Sequence, residues 1–132
     1  MKLVSKILLL NPEKKLLMAL RDDKPEIPYP KHWGNVGGEI EQGESPLEAL
    51  KREIKEEISC DIYDIKILGE AFDPEEDCKV IFFKGKVFER LENIKLYEGQ
   101  KLDFFTFEEI KNLLIAPFVK KFILNNKNKI FD

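Results

Sequence analysis

Four carboxylates and one guanidinium recur in a fixed pattern between Gly37 and Ser59, in the run GGEIEQGESPLEALKREIKEEIS. Seven glutamates stand in this span, with Arg52 as the only arginine. Positions 53, 56 and 57 are related by steps of 3 and 4. On a helix this puts Glu53, Glu56 and Glu57 on one face, within reach of a common point. Crowded carboxylates repel, and like charges at i,i+4 weaken a helix by about 0.2–0.5 kcal/mol. A solvated face or a site for a hard cation with oxygen ligands would each account for them.

The residues that precede them must position this face. Ser45-Pro46-Leu47-Glu48 reads as a helix start: Ser45 as N-cap, Pro46 at the first helical position, Glu48 completing a capping box. Leu47, Leu50, Ile54 and Ile58 recur at helical spacing and predict an apolar stripe turned away from the glutamates. Gly37-Gly38 and Gly43 bracket a short acidic loop before the helix. Paired glycines allow positive φ or close backbone approach, in an ordinary tight turn or at the mouth of a phosphate or metal site.

The stretch Gly38 to Cys60 resembles the Nudix box, the signature of Nudix hydrolases. Gly38, Glu44, Arg52, Glu53, Ile54, Glu56 and Glu57 match at the required offsets, and Cys60 suits the final apolar position. Six fixed identities would coincide in about 10⁻⁵ to 10⁻⁴ of chains of this composition, so the match is specific. One position departs: Ser59 stands where the family has Gly. If that Gly ends the helix in a left-handed conformation, Ser there costs about 1 kcal/mol. Looser likeness extends through "W…GG" upstream and "EGQ" at 98–100.

The resemblance implies an α/β fold, an α/β/α sandwich with a mixed β-sheet between helices, and a single domain over residues 1–132. It implies hydrolysis of a nucleoside diphosphate linked to another moiety, with Mg²⁺ or Mn²⁺, in the manner of the MutT-like branch. Water attacks a phosphorus of the pyrophosphate. Glu53, Glu56 and Glu57 would be metal ligands, with the Gly37 carbonyl as an addition. Arg52 would orient the carboxylates, or form a plain i,i+4 salt bridge to Glu56, or both. Glu98, in "EGQ", resembles a MutT-branch residue that adds a metal ligand or assists the base. The base itself is open among Glu56, Glu57 and Glu98. A Nudix-fold nucleotide-binding or regulatory domain without catalysis is the second reading. Such domains usually lose box glutamates, and none is lost here. The branch selecting 8-oxoguanine carries an Asn near its last helix, where this chain has Ile115–Phe118. Many members are homodimers, an analogy of family and not a reading of residues.

Three other residues are candidates for substrate. Gly38 would allow close backbone approach. Trp33 either stacks on a nucleobase or joins the core beside a sheet. Arg21, at a strand end, either binds phosphate or is solvated. His32 sits in the proline-rich loop 22–35 and has no part in carboxylate chemistry.

Composition agrees. The 132 residues carry 43% hydrophobic residues and ten Phe, enough for a core. The net charge of −3 gives no general pull towards nucleic acid or anionic membrane; a small nucleotide partner is what the resemblance implies. An acidic chain handling phosphates needs cations to screen repulsion. Cys60 and Cys78 form no CxxC, and two isolated thiols fit a reducing cytoplasm. The opening MKLVSKILLL reads as a strand rather than a signal or membrane span.

The remaining elements follow from pattern. Residues 2–10 and 16–21 read as a hairpin across NPEKK. Strands are expected at 62–72 and 78–90, with shorter pieces at 94–97 and 102–105. Helices are expected at 107–114 and 118–126, interrupted at Pro117.

Overall fold

The computed structural model describes residues 1–132. Strand β1 (Lys2–Leu10) turns into β2 (Leu16–Leu20) through NPEKK. Asn11 Oδ1 accepts from the amides of Glu13 and Lys15 at 3.0 and 2.9 Å, so the Asn closes the turn with its side chain. The strands β3 (Trp33–Gly34) and β4 (Val36–Glu39) follow the proline-rich loop. Helix α1 (Pro46–Glu57) leads into β5 (Ile58–Ser59), then the long hairpin β6 (Tyr63–Asp73) and β7 (Cys78–Lys86). Two further strands, β8 (Lys95–Leu96) and β9 (Lys101–Phe105), precede α2 (Phe107–Ile110), α3 (Pro117–Asn125) and α4 (Lys127–Phe131).

The main sheet runs β3-β2-β1-β7-β6, with β4 also on β1 and β9 also on β2. It is mixed: β1 and β7 are parallel, from Lys2 opposite Cys78 to Leu10 opposite Lys86. The other pairings are antiparallel. Two apolar clusters cover its two faces. One gathers Leu8, Met18, Phe82, Ile110, Ile123 and Ile130 under the C-terminal helices. The second gathers Ile7, Leu9, Leu17, Phe83, Leu50 and Ile54 under α1. Alternation along β1 divides Ile7 and Leu9 from Leu8. This is the expected α/β/α sandwich with a mixed sheet between helices.

Helix α1 starts as its residues dictate. Ser45 Oγ accepts from the Glu48 amide at 3.1 Å, and Glu48 Oε1 accepts from the Ser45 amide at 2.9 Å. Leu50 and Ile54 are buried and contribute about 1.5–3 kcal/mol each by leaving water. The stripe differs from expectation at Leu47, which is exposed, while Ala49 is buried in its stead. Buried Ser5 ties the first turn of α1 to β1, donating from Oγ to the Pro46 carbonyl at 2.8 Å.

The helix end corrects a second expectation. The cap, Ile58, is extended (φ −137°), and Ser59 lies in β5, paired with Lys95. The chain leaves the helix straight into a strand, so no left-handed residue is needed and Ser59 carries no such cost. Element bounds also move. The segment at 107–114 is helical only to Ile110, β7 ends at Lys86, and Pro117 begins α3 instead of interrupting a helix. Proline lacks the amide that a first-turn position leaves unpaired anyway. Helix α4 is a further element, its Ile130 and Phe131 buried in the first cluster.

Candidate active site

Three carboxylates converge where α1 meets the sheet. Oxygens of Glu53, Glu57 and Glu98 all lie within 4.8 Å of one another. Glu53 and Glu57 are one turn apart on α1. Glu98 arrives from 41 residues later, and backbone bonds hold its turn. The Tyr97 amide donates to the Glu57 carbonyl at 2.8 Å, and the Gln100 amide donates to the Leu20 carbonyl at 2.9 Å. Gly99 between them takes φ +90°, and a methyl there would lie 2.8 Å from the Leu20 oxygen. The pairing of β5 with β8 sets the register of this loop.

The two glycines before the helix have separate tasks. Gly37 takes φ +145°, and any side chain would strike β1, 2.0 Å from the Ser5 carbonyl oxygen. Its amide donates to Glu57 Oε2 at 2.7 Å. A methyl at Gly38 would lie 2.3 Å from Glu53 Cδ, so that carboxylate rests where only glycine leaves room.

Arg52 organises the acidic loop. It meets Glu44 twice, Nε to Oε2 at 2.8 Å and Nη2 to Oε1 at 3.0 Å. Its Nη1 donates to Glu53 Oε1 at 2.9 Å, and Nη2 donates to the Glu39 carbonyl at 2.9 Å. The same Nη1 is 3.4 Å from Glu56, so the i,i+4 bridge and the orienting contacts coexist. Glu41 is 3.7 Å from Arg52 as well. Hydrogen bonds from Arg52 lower the Glu44 carboxyl to about 2. Glu56 is where the structure parts from the helix-face expectation. Its side chain is 57% exposed against 14% for Glu53, and it stands outside the converging trio. A helical face is broader than a coordination sphere, and the side chain follows Arg52.

The electrostatics of the trio centre on Glu57. Desolvation raises its carboxyl to about 7, with Glu98 and Glu53 adding like-charge repulsion against the opposing pull of Lys6 and the Gly37 amide. Lys6 Nζ donates to the carbonyls of Asn35 and Gly37, at 3.2 and 3.4 Å. Burial lowers the pKa of this ammonium. Sequence reasoning missed Lys6. The signal was a lone charge, beside Ser5, in a segment Leu3–Leu10 whose other residues are all apolar.

A cleft of about 440 Å³ opens beside the trio and is lined by Glu53, Glu57 and Glu98, among others. Arg21, Trp33 and Gly38 line it too, so the structure gathers the expected substrate residues around one space. Arg21 Nε donates to the Pro28 carbonyl at 2.9 Å. Trp33 packs edge-on against Phe105 with centroids 4.9 Å apart, and its amide donates to the Leu114 carbonyl. It is half-buried, both core neighbour and cleft wall. His32 turns Nδ1 to the Pro30 carbonyl at 2.9 Å. The loop lines the cleft and is pinned there by Tyr29, whose hydroxyl donates to Asp73 at 2.9 Å. Cys60 is not among the residues lining the cleft, and burial raises its thiol to about 11; Cys78 is a buried, unpaired thiol on the cleft wall.

A family model described as NUDIX domain matches residues 2–125. Among solved structures, the MutT protein from Methanosarcina mazei Go1 is 20% identical, with 97% of this chain and 94% of that one covered at a TM-score of 0.78. A mutator MutT protein from Bacillus halodurans is 23% identical over 94% of this chain and 80% of that one, with a TM-score of 0.65. The NUDIX domain of Shewanella oneidensis NrtR, solved in complex with ADP ribose, is 14% identical, covers 96% and 86%, and has a TM-score of 0.75. At these identities the structural likeness is one of fold. The family match nonetheless spans almost the whole chain and includes the box glutamates and Arg52, so this protein belongs to the Nudix family of hydrolases, which act on pyrophosphate bonds.

Proposed function

We propose that this chain is a Mg²⁺-dependent hydrolase of nucleoside diphosphate derivatives, with Mn²⁺ as a substitute. The observation that carries this reading is the convergence of Glu53, Glu57 and Glu98 within 4.8 Å at the cleft. The donor set fits a hard divalent cation: three carboxylates, no sulfur or imidazole, and room for substrate oxygens. Desolvation and repulsion already hold Glu57 near 7, an electrostatic cost that a cation between the three would relieve. Glu53, Glu57 and Glu98 would hold it, with the Gly37 carbonyl beside them. Glu56 stands at the margin on Arg52. Bound there, the metal supplies Lewis acidity and screens the diphosphate charge.

The chain's own residues do the rest. Arg52 locks Glu53 in place through a charge-assisted bond, and Gly38 leaves the space that Glu53 occupies. The Gly37 amide fixes the orientation of Glu57. Arg21 uses only Nε on the loop, leaving its terminal nitrogens for a phosphate. Trp33 offers a flat wall for the nucleoside. Glu98 is the exposed member of the trio and so the one open to an incoming water, whose proton its carboxylate accepts.

A substrate panel tests the reading. Nucleoside triphosphates, sugar nucleotides, dinucleotide polyphosphates and ADP ribose are incubated with enzyme and Mg²⁺, and products are resolved by chromatography. Turnover of at least one compound, abolished by EDTA, is expected. Silence across the panel would move the assignment to a binding domain.

A further inference from the structure

A lysine stands at a core position in the central strand β1. Alternation puts Lys6 on the same face as Val4 and Leu8, and its neighbour across on β7 is the fully buried Phe82. The strand is paired along both edges here, with Gly37 of β4 and with Phe82, so the backbone is covered and the part of Lys6 that solvent reaches is side chain. That exposure opens onto the cleft, because Val4, Gly37 and Phe82 around it line the same space, as does Lys6 itself. Of the lysines and arginines lining the cleft, Lys2 begins β1 and Arg21 follows β2, so Lys6 is the one held inside a strand.

The side chain is incompletely satisfied. An ammonium carries three N–H donors and a full charge. Two donors go to the carbonyls of Asn35 and Gly37, at 3.2 and 3.4 Å. No carboxylate oxygen lies within 4.0 Å of Nζ. Asn35 keeps its amide on Met18 Sδ at 3.3 Å, and its unpaired Oδ1 takes no bond from Lys6. A charge drawn out of water without a contacting counter-ion destabilises a fold, and a methionine of similar length would avoid that cost. A positive charge kept on a cleft wall at that cost calls for an anion from outside the chain.

Position selects which anion. On one side of Lys6 lies the apolar stretch of Val4, Val80 and Phe82, suited to an organic group. On the other, across the β1–β4 ladder, is Gly37, whose amide holds Glu57 of the trio. Resting on the nucleotide reading above, we infer that Lys6 binds the phosphate attached to the nucleoside, its third N–H donated to a non-bridging oxygen. The bond is charge-assisted, and the ammonium offsets the repulsion that the carboxylates exert on that phosphate. Held by a strand and two carbonyls, it is positioned before substrate arrives.

The test uses nucleoside monophosphates, which contain no pyrophosphate and keep the phosphate in question. Calorimetry with Mg²⁺ measures AMP, GMP, CMP and UMP and their nucleosides on the full-length protein, and electron paramagnetic resonance measures Mn²⁺ binding. In Lys6→Met we expect about tenfold or more weaker binding of the monophosphate, nucleoside binding within twofold of wild type, and Mn²⁺ binding that is equal or tighter because a nearby positive charge is gone. Lys6→Gln keeps a donor for the carbonyls but no charge, and should lose as much as Lys6→Met. Monophosphate binding unchanged in both variants, its restoration by Gln, its loss together with nucleoside and Mn²⁺ binding, or no binding of any monophosphate to wild type would overturn the assignment. Turnover on the substrate panel with monophosphate binding unchanged in the variants would sink this inference alone. Charge-dependent monophosphate binding without turnover would sink the hydrolase reading alone.

Discussion

Replacing Glu57 by Gln separates two consequences of the carboxylate cluster, one on stability and one on activity. In the metal-free protein the Glu57 carboxyl is raised from the usual 4.5 to about 7, chiefly by desolvation. A raised acid binds its proton more tightly in the folded than in the unfolded chain. Between pH 4.5 and 7 the unfolded chain has released this proton and the folded one retains it, so stability falls as pH rises through that window and levels off above it. At about 1.36 kcal/mol per pH unit, the loss is on the order of 3 kcal/mol. The groups facing Glu57 are Glu53, Glu98, Lys6 and the Gly37 amide, and all are retained in the variant. Gln is neutral at every pH, and its carbonyl can still accept from Gly37. Urea denaturation in EDTA from pH 4 to 9 should therefore show wild type losing on the order of 2–3 kcal/mol that Glu57→Gln keeps. At pH 8 without metal the variant is the more stable protein. With Mg²⁺ the proposed metal site predicts that the order reverses, because wild type gains binding free energy and the variant has lost a proposed ligand. Activity in the variant falls by two orders of magnitude or more. Parallel pH profiles for the two proteins in EDTA would refute the account of Glu57 as a desolvated, repelled carboxylate.

Two further predictions test the supporting residues. Gly38→Ala sets a methyl 2.3 Å from Glu53 Cδ, so Glu53 must move; a displacement of about 1 Å at a reacting centre costs roughly 10²-fold, read as kcat with Mg²⁺ against a nearly unchanged circular dichroism spectrum. Arg52→Lys keeps the charge but loses the two-point grip on Glu44, whose carboxyl is held at about 2. Because that value is lowered, the contribution to stability is present above about 4.5 and lost as pH falls towards 2. Carboxyl NMR titration should find Glu44 near 2 in wild type and back in the ordinary range in Arg52→Lys; an unmoved Glu44 would show that another group lowers it.

Local elements were legible because their causes are local. A capping box, a proline at a first helical position and an Asn-Pro turn each act over four or five residues, and each is found where the pattern put it. The helix spacing also placed Glu53 and Glu57 one turn apart. Where expectations missed, tertiary packing had the deciding part. Leu47 has the right period for burial, but Ala49 takes its place on the buried face of α1. Ser59 looked like a strained helix end until β8 gave the chain a strand to join. The short helix α4 has weak local signals and is held by burying Ile130 and Phe131.

Residue types and offsets within the run Gly37–Cys60 determine the family, since its box is defined by spacing along one segment. Which carboxylates meet is another matter. Glu98 joins Glu53 and Glu57 only because β5 pairs with β8 and two backbone bonds seat its turn, while Glu56, nearer in sequence, faces Arg52. Lys6 and Asn35 carry no motif at all. They matter because the sheet places a half-buried ammonium on two carbonyls and leaves one amide oxygen without a donor, and partners across 29 and 17 residues are set by strand register rather than by sequence neighbours.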